Sequence, residues 1–516
     1  MIVKEPLKTR LLLALWALGL FAACLALHTR HNDFPYFYHP DEPDKVEQVK
    51  SGEWNFHHPM LLLSTTRAVV KVAGVPLEEQ AIVQTGRNVS AVFIAIAVCA
   101  LSLLAWRWRG WRVAIPAGLA LLLHHQLYEL AHYMKEDAAL LMGVALSFLA
   151  AHWFWSRPSR GTAMALGVAV ALAVSGKYIG VVMIAVALPV LWLAPGISQK
   201  ERWICFSAGL LLVFVVVNWP LLAGFSKAQS SLARETTLVV RGQDEEALRS
   251  APHWAYWEYF LRNTTPAIWL LLIAFYWGLR RRWDSLSLPE RALVLFPVLY
   301  TLALSLSPKE NDRYFLPAAA VFTVLAAAGI DDVIRHSQFD RKRTLVAAGC
   351  TVLLLAAQLP SWTRDRAGLL RYDHAFQHDD LQELIDWMRT DVPPDAVVAK
   401  DGKVNLPDPK RRKHAARVGV VPQTIINSKY AADLGTIEEL REKGISYVIV
   451  SRGVYGKFID DTGGSGRSAK FQKRRAFYER LLREGEPVFD RDRGTVIYLH
   501  PGLRVYRLIR LPGGSA

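Results

Sequence analysis

A polytopic α-helical membrane protein with a small soluble α/β domain after its last span is the fold class that the sequence predicts. Three observations predict it. The chain of 516 residues is 52% hydrophobic, and its apolar residues are clustered into long uninterrupted runs. Lysine and arginine collect in every second connection between those runs. From about residue 361 the composition turns soluble, and helix and strand patterns alternate.

A run of about 18 or more apolar residues reads as a transmembrane helix, because roughly 20 residues cross the hydrocarbon core. Eleven such spans are expected, at about 11–28, 88–106, 113–129, 138–155, 162–175, 178–194, 204–222, 265–279, 291–306, 314–330 and 344–360. The first is read as an anchor rather than a signal peptide, since its apolar core is long and shows no small-residue cleavage site. Lys4, Lys8 and Arg10 precede span one; Arg107, Arg109 and Arg112 follow span two; Arg157 and Arg160 follow span four. Lys200 and Arg202 follow span six, Arg280, Arg281 and Arg282 span eight, and Arg335, Arg341, Lys342 and Arg343 span ten. The positive-inside rule makes these connections cytoplasmic. The remaining connections and the C-terminal domain then lie outside. This alternation accounts for much of the net charge of +15 without a nucleic-acid partner. Cys24, Cys99, Cys205 and Cys350 all fall in spans, so the outer domain has no disulfide framework and no cysteine metal motif.

The membrane domain is expected over 1–360 and the soluble domain over 361–516. The first outer loop, 29–87, is too long for a simple connection, and its stretches 43–53 and 59–73 look helical. The second stretch suits either an interfacial or an ordinary packed helix. Spans three and five are short or interrupted, and the run 162–194 is broken by Ser175-Gly176-Lys177; such a break is tolerated only against protein or a wet cavity. A second outer loop, 223–263, carries Glu235, Asp244, Glu245, Glu246 and an aromatic stretch from His253 to Tyr259 that reads as an interfacial belt, with substrate stacking as the alternative. In the soluble domain, 381–388, 437–443 and 473–484 read as helices, and 396–399, 445–450, 496–499 and 503–508 as strands. Segments 401–416 and 461–470 read as loops, and no phosphate-binding glycine motif appears.

Five places carry chemistry. Asp41 and Glu42 stand between Pro40 and Pro43 just beyond the first span. A carboxylate at the rim of a partly desolvated cavity suits a general base, while two acids ahead of a helix also suit capping. His57 and His58 close the same loop before Pro59, as anion or metal contacts or as polar residues opening a helix. Lys135, Glu136 and Asp137 open span four; one acid there complements the helix dipole, and the group exceeds what that needs. Lys177 and Tyr178 follow the fifth span, where a charge near membrane depth is a functional-site hypothesis by default and snorkelling is the structural alternative. Lys309, Glu310, Asn311, Asp312, Arg313 and Tyr314 precede span ten, and Arg313 has the geometry to grip a phosphate or to anchor the helix at the interface.

This order of features resembles the polyprenyl-phosphate-dependent glycosyltransferases of the GT-C fold, with the bacterial relatives of protein O-mannosyltransferases and of the lipid A aminoarabinose transferase as the nearest branch. The residues that carry the resemblance are Asp41-Glu42, Asp137, Lys177 and Arg313-Tyr314-Phe315-Leu316-Pro317, within 1–360. It implies a catalytic base at Asp41, with Glu42 orienting it or the acceptor. It implies a second cavity acid at Asp137, and Lys177 and Arg313 on the carrier phosphate. His58-Pro59 stands where some relatives have Lys-Pro-Pro. The resemblance also implies a polyprenyl-phosphate-sugar donor, a protein, lipid or glycan acceptor, membrane lipid around the spans, and a bacterial plasma membrane. It leaves a divalent metal ion open, since some of these enzymes use one and others do not. The expected activity is transfer of a sugar at the outer face with inversion. A transporter or flippase for a lipid-linked or anionic substrate is the competing class, against which stand the outer-edge position of the acids and the lack of an inverted repeat. A membrane-anchored sensor leaves the acidic pair and Lys177 unexplained.

Overall fold

Each of the eleven apolar runs is helical in the computed structural model, which describes residues 6–241, 252–309, 311–336, 343–359, 368–406, 421–460, 468–492 and 500–509. Among the described residues six helices are long and apolar enough to cross a membrane: Leu7–His28, Glu79–Arg109, Glu136–Ser156, Gln199–Ala223, Leu288–Ser305 and Asp312–Arg335. Five shorter apolar helices are Trp111–Leu122, Arg160–Gly176, Tyr178–Leu193, Pro266–Leu279 and Thr344–Ala356. The chain is thus a mainly α membrane-embedded protein. Its described residues fall into two units, the first reaching to 359 without Phe37–Pro40, the second made of Phe37–Pro40 and the residues from 368 on.

Side-chain size sorts the helices of the first unit. The helix from 316 is rich in alanine (Leu-Pro-Ala-Ala-Ala-Val-Phe-Thr-Val-Leu-Ala-Ala-Ala-Gly-Ile), and its span is 94% buried. Small residues let helix backbones approach where lipid gives no hydrophobic drive to associate. Gln199–Ala223 is more apolar still but presents Leu211, Val215, Val216 and Trp219 outward, and only 28% of its span is buried. Glu136–Ser156 packs between Glu79–Arg109 and Arg160–Gly176 at the centre.

The run 113–129 is interrupted, as expected: it stops at Leu122, and a short helix, His125–Ala131, restarts after His124, whose ring accepts the Gln126 N–H at 3.3 Å. Two expectations are corrected here. The first outer connection is shorter than 29–87, because Glu79–Arg109 starts well before 88 and the rest holds the helices Glu42–Ser51 and Leu61–Val72. The second is no plain loop, since Phe225–Arg241 and Ala255–Asn263 are helices. Its aromatic stretch is not simply a surface belt: Tyr256 and Phe260 are buried against Phe315, and Trp254 is exposed. Asp244, Glu245, Glu246 and Glu310 lie outside the described residues.

Among its described residues the second unit holds a five-stranded sheet with helices. Its strands are β1 (Val397–Asp401), β2 (Thr424–Ser428), β3 (Ile445–Ser451), β4 (Glu486–Arg491) and β5 (Leu503–Arg507), in the order β2-β1-β3-β5-β4. β1 runs parallel to β2 and β3, with Val397 opposite Thr424; β5 is antiparallel to β3 and β4, with Val448 opposite Tyr506. All of β3 is buried, as its apolar run requires of a central strand. Asp380–Asp391, Ile437–Glu442 and Ala469–Glu484 are the expected helices; Leu369–Gln377, Arg452–Ile459, β2 and β4 were not read from the sequence. The expected strand 496–499 and most of the two expected loops lie outside the described residues. At the end of β1, the Asp401 carboxylate accepts from the N–H groups of Ala431 and Ser451 and from the Tyr478 hydroxyl. Burial pushes it up to about 6.

Candidate active site

The site is assembled where the first unit's helices begin. Asp41 is the residue ahead of helix Glu42–Ser51, yet its side chain makes no capping bond. It pairs instead with the Lys135 ammonium, while Arg313 Nη1 lies 3.9 Å from Asp41 Oδ2. Asp137 accepts from Lys177 Nζ at 2.6 Å and lies 3.8 Å from Arg313 Nε. Glu136 accepts from Lys45 Nζ at 2.7 Å and stands 3.9 Å from His58 Nε2. The Lys177 ammonium sits 4.3 Å from the centre of the Tyr314 ring, a cation–π contact. Asp41, His58, Lys135, Glu136, Asp137, Lys177, Arg313 and Tyr314 are therefore one cluster, built from five separated stretches of chain.

Exposure separates the carboxylates. The Asp41 side chain is 46% exposed, against 3% for Glu136, 2% for Asp137 and 0% for Glu42. Burial works to raise the Asp41 carboxyl, but Lys135, Lys45 and Arg313 outweigh it and hold the group at about 2. Lys135 is drawn below the usual ammonium range, first by burial and then by Arg313 and Lys45, with Asp41 and Glu136 opposing. Burial lowers His58 to about 4 despite Glu136, so its ring is neutral at neutral pH. Among the described residues Lys45, Lys135, Lys177 and Arg313 face Asp41, Glu136 and Asp137, an arrangement rich in cations that suits an anion.

The local chain explains these positions. Lys177 adopts an extended backbone (φ −158°) between helix Arg160–Gly176 and the one-turn helix Tyr178–Val181, which aims its side chain across at Asp137. A side chain at Gly176 would meet the Ala139 backbone at 2.6 Å, so glycine lets the two helices close to that range. Asn218, at a kink in Gln199–Ala223, donates to Ser175 Oγ at 2.6 Å and accepts the Met60 N–H at 3.0 Å. Phe56 is held in the left-handed region (φ 55°), a conformation costing roughly 1–2 kcal/mol for a residue with a Cβ. Its carbonyl accepts the Tyr178 hydroxyl at 3.1 Å. Arg313 lies in a one-turn helix, Asp312–Phe315, started by Asn311, whose side chain accepts the Arg313 N–H at 3.2 Å.

Three expected site residues sit elsewhere. Glu42 turns away from Asp41 and is enclosed: Arg87 donates to it at 3.0 and 2.5 Å, and the Met134 N–H at 2.9 Å. It joins the frame rather than the cluster. Tyr178 serves the loop at Phe56. Among the described residues His57 joins none of these pairs; the chain bends at His57-His58, after the left-handed Phe56. Sequence reasoning missed Arg87 and Lys45. Arg87 carried a signal, a charge at the head of an apolar run; Lys45 lay in an ordinary polar helix. Among the described residues no three His, Cys, Asp or Glu side chains gather to hold a metal. Because Asp41, Glu136 and Asp137 each already face an ammonium, this donor set does not fit a divalent cation.

Residues 57–220, under a third of the chain, match the family model of dolichyl-phosphate-mannose-protein mannosyltransferase. That segment holds His58, Lys135, Glu136, Asp137 and Lys177 but neither Asp41 nor Arg313. No curated protein matches the chain. Among solved structures, it is similar to ArnT from Cupriavidus metallidurans in the apo state, at 13% identity over 97% of this chain and 98% of that one, with a TM-score of 0.49. The same protein bound to undecaprenyl phosphate matches at 13% identity over 99% of both chains, with a TM-score of 0.46. The Archaeoglobus fulgidus oligosaccharyltransferase matches at 11% identity over 93% of this chain and 72% of that one, with a TM-score of 0.48.

Proposed function

We propose that the protein is a GT-C glycosyltransferase that moves a sugar from a polyprenyl phosphate carrier to an acceptor hydroxyl or amine on a protein, lipid A or another glycan. The observation that carries this reading is the cluster itself: one reachable carboxylate, Asp41, ringed by cations. The family model over 57–220 supports the donor class. Lys177 and Arg313 hold the carrier phosphate. As the acceptor oxygen or nitrogen attacks the anomeric carbon, the bond from that carbon to the phosphate oxygen breaks, and the cations stabilise the charge left on phosphate. The acceptor's proton passes to Asp41. Attack opposite the leaving phosphate inverts the anomeric centre.

Alone, a carboxylate held at about 2 is a weak base. The phosphate supplies the missing element: it draws Lys135 and Arg313 toward itself, which raises Asp41 toward its ordinary range while the donor is bound. Glu42 acts at a distance, fixing with Arg87 the segment that carries Lys135. The acidic end of the spans is the outer face of a bacterial plasma membrane in this reading, with the C-terminal unit on the same side.

The test uses the full-length protein in lipid with radiolabelled polyprenyl-phosphate sugars and a membrane extract. Wild type should move label off the carrier, and Asp41→Asn should slow transfer roughly 10²–10⁴-fold with donor binding kept. Transfer at the wild-type rate by a folded Asp41→Asn variant sinks the assignment of the base. Label that stays on its carrier while the lipid crosses the bilayer replaces transfer by transport.

A further inference from the structure

The helix Phe225–Arg241 has three distinct edges, each repeating at seven residues, close to two turns. One edge faces the protein: Ser231 is buried and Leu238 half-buried. Ser231 Oγ donates to the Asn55 carbonyl at 2.7 Å, and Glu235, on the same side, accepts from Lys309 Nζ at 3.0 Å. The second edge, about 100° round, is Phe225, Leu232 and Val239. These are apolar, yet 66%, 46% and 45% exposed. The third is Lys227, Arg234 and Arg241, also exposed. A step of two residues turns a helix by about 200°, so this basic edge stands away from the apolar one.

The two ends of the helix fix its direction. Phe225 follows directly on Gly224, the residue after the span Gln199–Ala223. Near the other end, the Val239 carbonyl accepts from the Ser307 hydroxyl at 2.7 Å, just past the end of the span Leu288–Ser305. From Phe225 to Val239 the helix rises roughly 21 Å. A helix of that length that leaves one span's end and meets another's runs across the ends of the spans, not away from them. It lies level with the candidate site, since Lys309 Nζ is also 5.9 Å from the centre of the Tyr314 ring. Trp219 and Leu222 are exposed at the end of the first of these spans, so the outward apolar surface continues from the span onto the helix. A protein partner gives no reason for an apolar edge to continue a lipid-facing surface, or for a basic edge to stand opposite it. A boundary between lipid and water requires both.

We propose that Phe225–Arg241 lies in the plane of the membrane surface on the side of the candidate site, with its Phe225–Leu232–Val239 edge docked on the acyl chains of that leaflet. Lys227, Arg234 and Arg241 then face head groups and water, while Ser231 and Glu235 hold the helix to the protein. The docking is independent of whether the neighbouring cluster transfers sugar.

The test places a nitroxide at Leu232→Cys or Arg234→Cys in otherwise cysteine-free, full-length protein in phospholipid nanodiscs. Collision with oxygen, which concentrates in lipid, is compared with collision with a water-soluble nickel chelate. The Leu232→Cys label should favour oxygen, at a depth of roughly 5–10 Å. The Arg234→Cys label should favour nickel, and a label at Val216→Cys, exposed within the span, should lie deeper than both. Two aqueous labels overturn the proposal, and so does a Leu232→Cys label shielded from both reagents. A second measurement keeps the native cysteines and so does not depend on how the cysteine-free chain folds. Leu232→benzoylphenylalanine, irradiated in the same nanodiscs, should gain the mass of a phospholipid. Crosslinks to a second copy or within the chain assign the edge to protein instead. Absence of a lipid adduct, where Val216→benzoylphenylalanine gives one, also overturns the docking.

Discussion

Asp41 shows how a neighbour decides what an acid does. Heading a helix, it had the position of a cap, but the Lys135 ammonium takes its carboxylate. Removing that cation should raise Asp41. If Asp41 is the base, the acid limb of the pH–kcat/KM profile should therefore move to higher pH in Lys135→Gln, and an unmoved limb would assign the base elsewhere. Glu42 and Arg87 are both fully enclosed, so each depends on the other. Arg87→Ala leaves a buried charge alone and should cost about 3–5 kcal/mol of stability, while a double change to apolar residues of similar size should recover most of it. Thermal unfolding of both variants in detergent separates the two outcomes. His58 gives the pH dependence. Its folded-state value, about 4, lies below the ordinary 6.5. The unfolded chain therefore binds the proton first, and stability present above pH 6.5 is lost as pH falls towards 4. His58→Gln should flatten that slope, by a few degrees of Tm at pH 5; parallel Tm–pH curves would remove His58 from the explanation.

Between elements, the decisive contacts are made by residues with little or no side chain. At Gly143 an added Cβ would run into the Ala173 backbone, and at Gly176 into Ala139. These two places bring Glu136–Ser156 and Arg160–Gly176 close enough for Asp137 to meet Lys177. Gly176→Ala should cost about 1–3 kcal/mol by overpacking. It should also lengthen the Asp137–Lys177 contact, so donor KM should rise more than kcat falls. An unchanged KM in a stably folded variant would show that the pair does not depend on this approach. The break at Lys177 has its own support, since Asn218 ties Ser175 to Met60 across three stretches of chain.

For the molecule as a whole, the alternation of basic connections predicts a topology that labelling can read. In a cysteine-free background, Glu53→Cys and Lys443→Cys should react with a membrane-impermeant maleimide in intact spheroplasts. Arg281→Cys should react only after permeabilisation. All three positions are exposed. Labelling of Lys443→Cys only after permeabilisation would move the C-terminal unit to the other side.

The sequence by itself determined the helices of the membrane unit, because an apolar run of spanning length has few alternatives in lipid. It also marked the break at Lys177, the central strand β3, and most of the charged residues that meet in the site, since charge beside an apolar run is conspicuous. Tertiary structure alone decided their partners. Nothing in the order Asp41-Glu42 shows that the first is reachable and the second sealed by Arg87, because Arg87 is 45 residues away. Nor does spacing reveal that His57 and His58 part company, or that Lys45 joins the acids. Span formation is a local property, set by transfer of each run into lipid. Charge pairing over long sequence separations is set by how closely helices pack, and here that closeness rests on glycine and alanine, whose role a hydropathy pattern does not display.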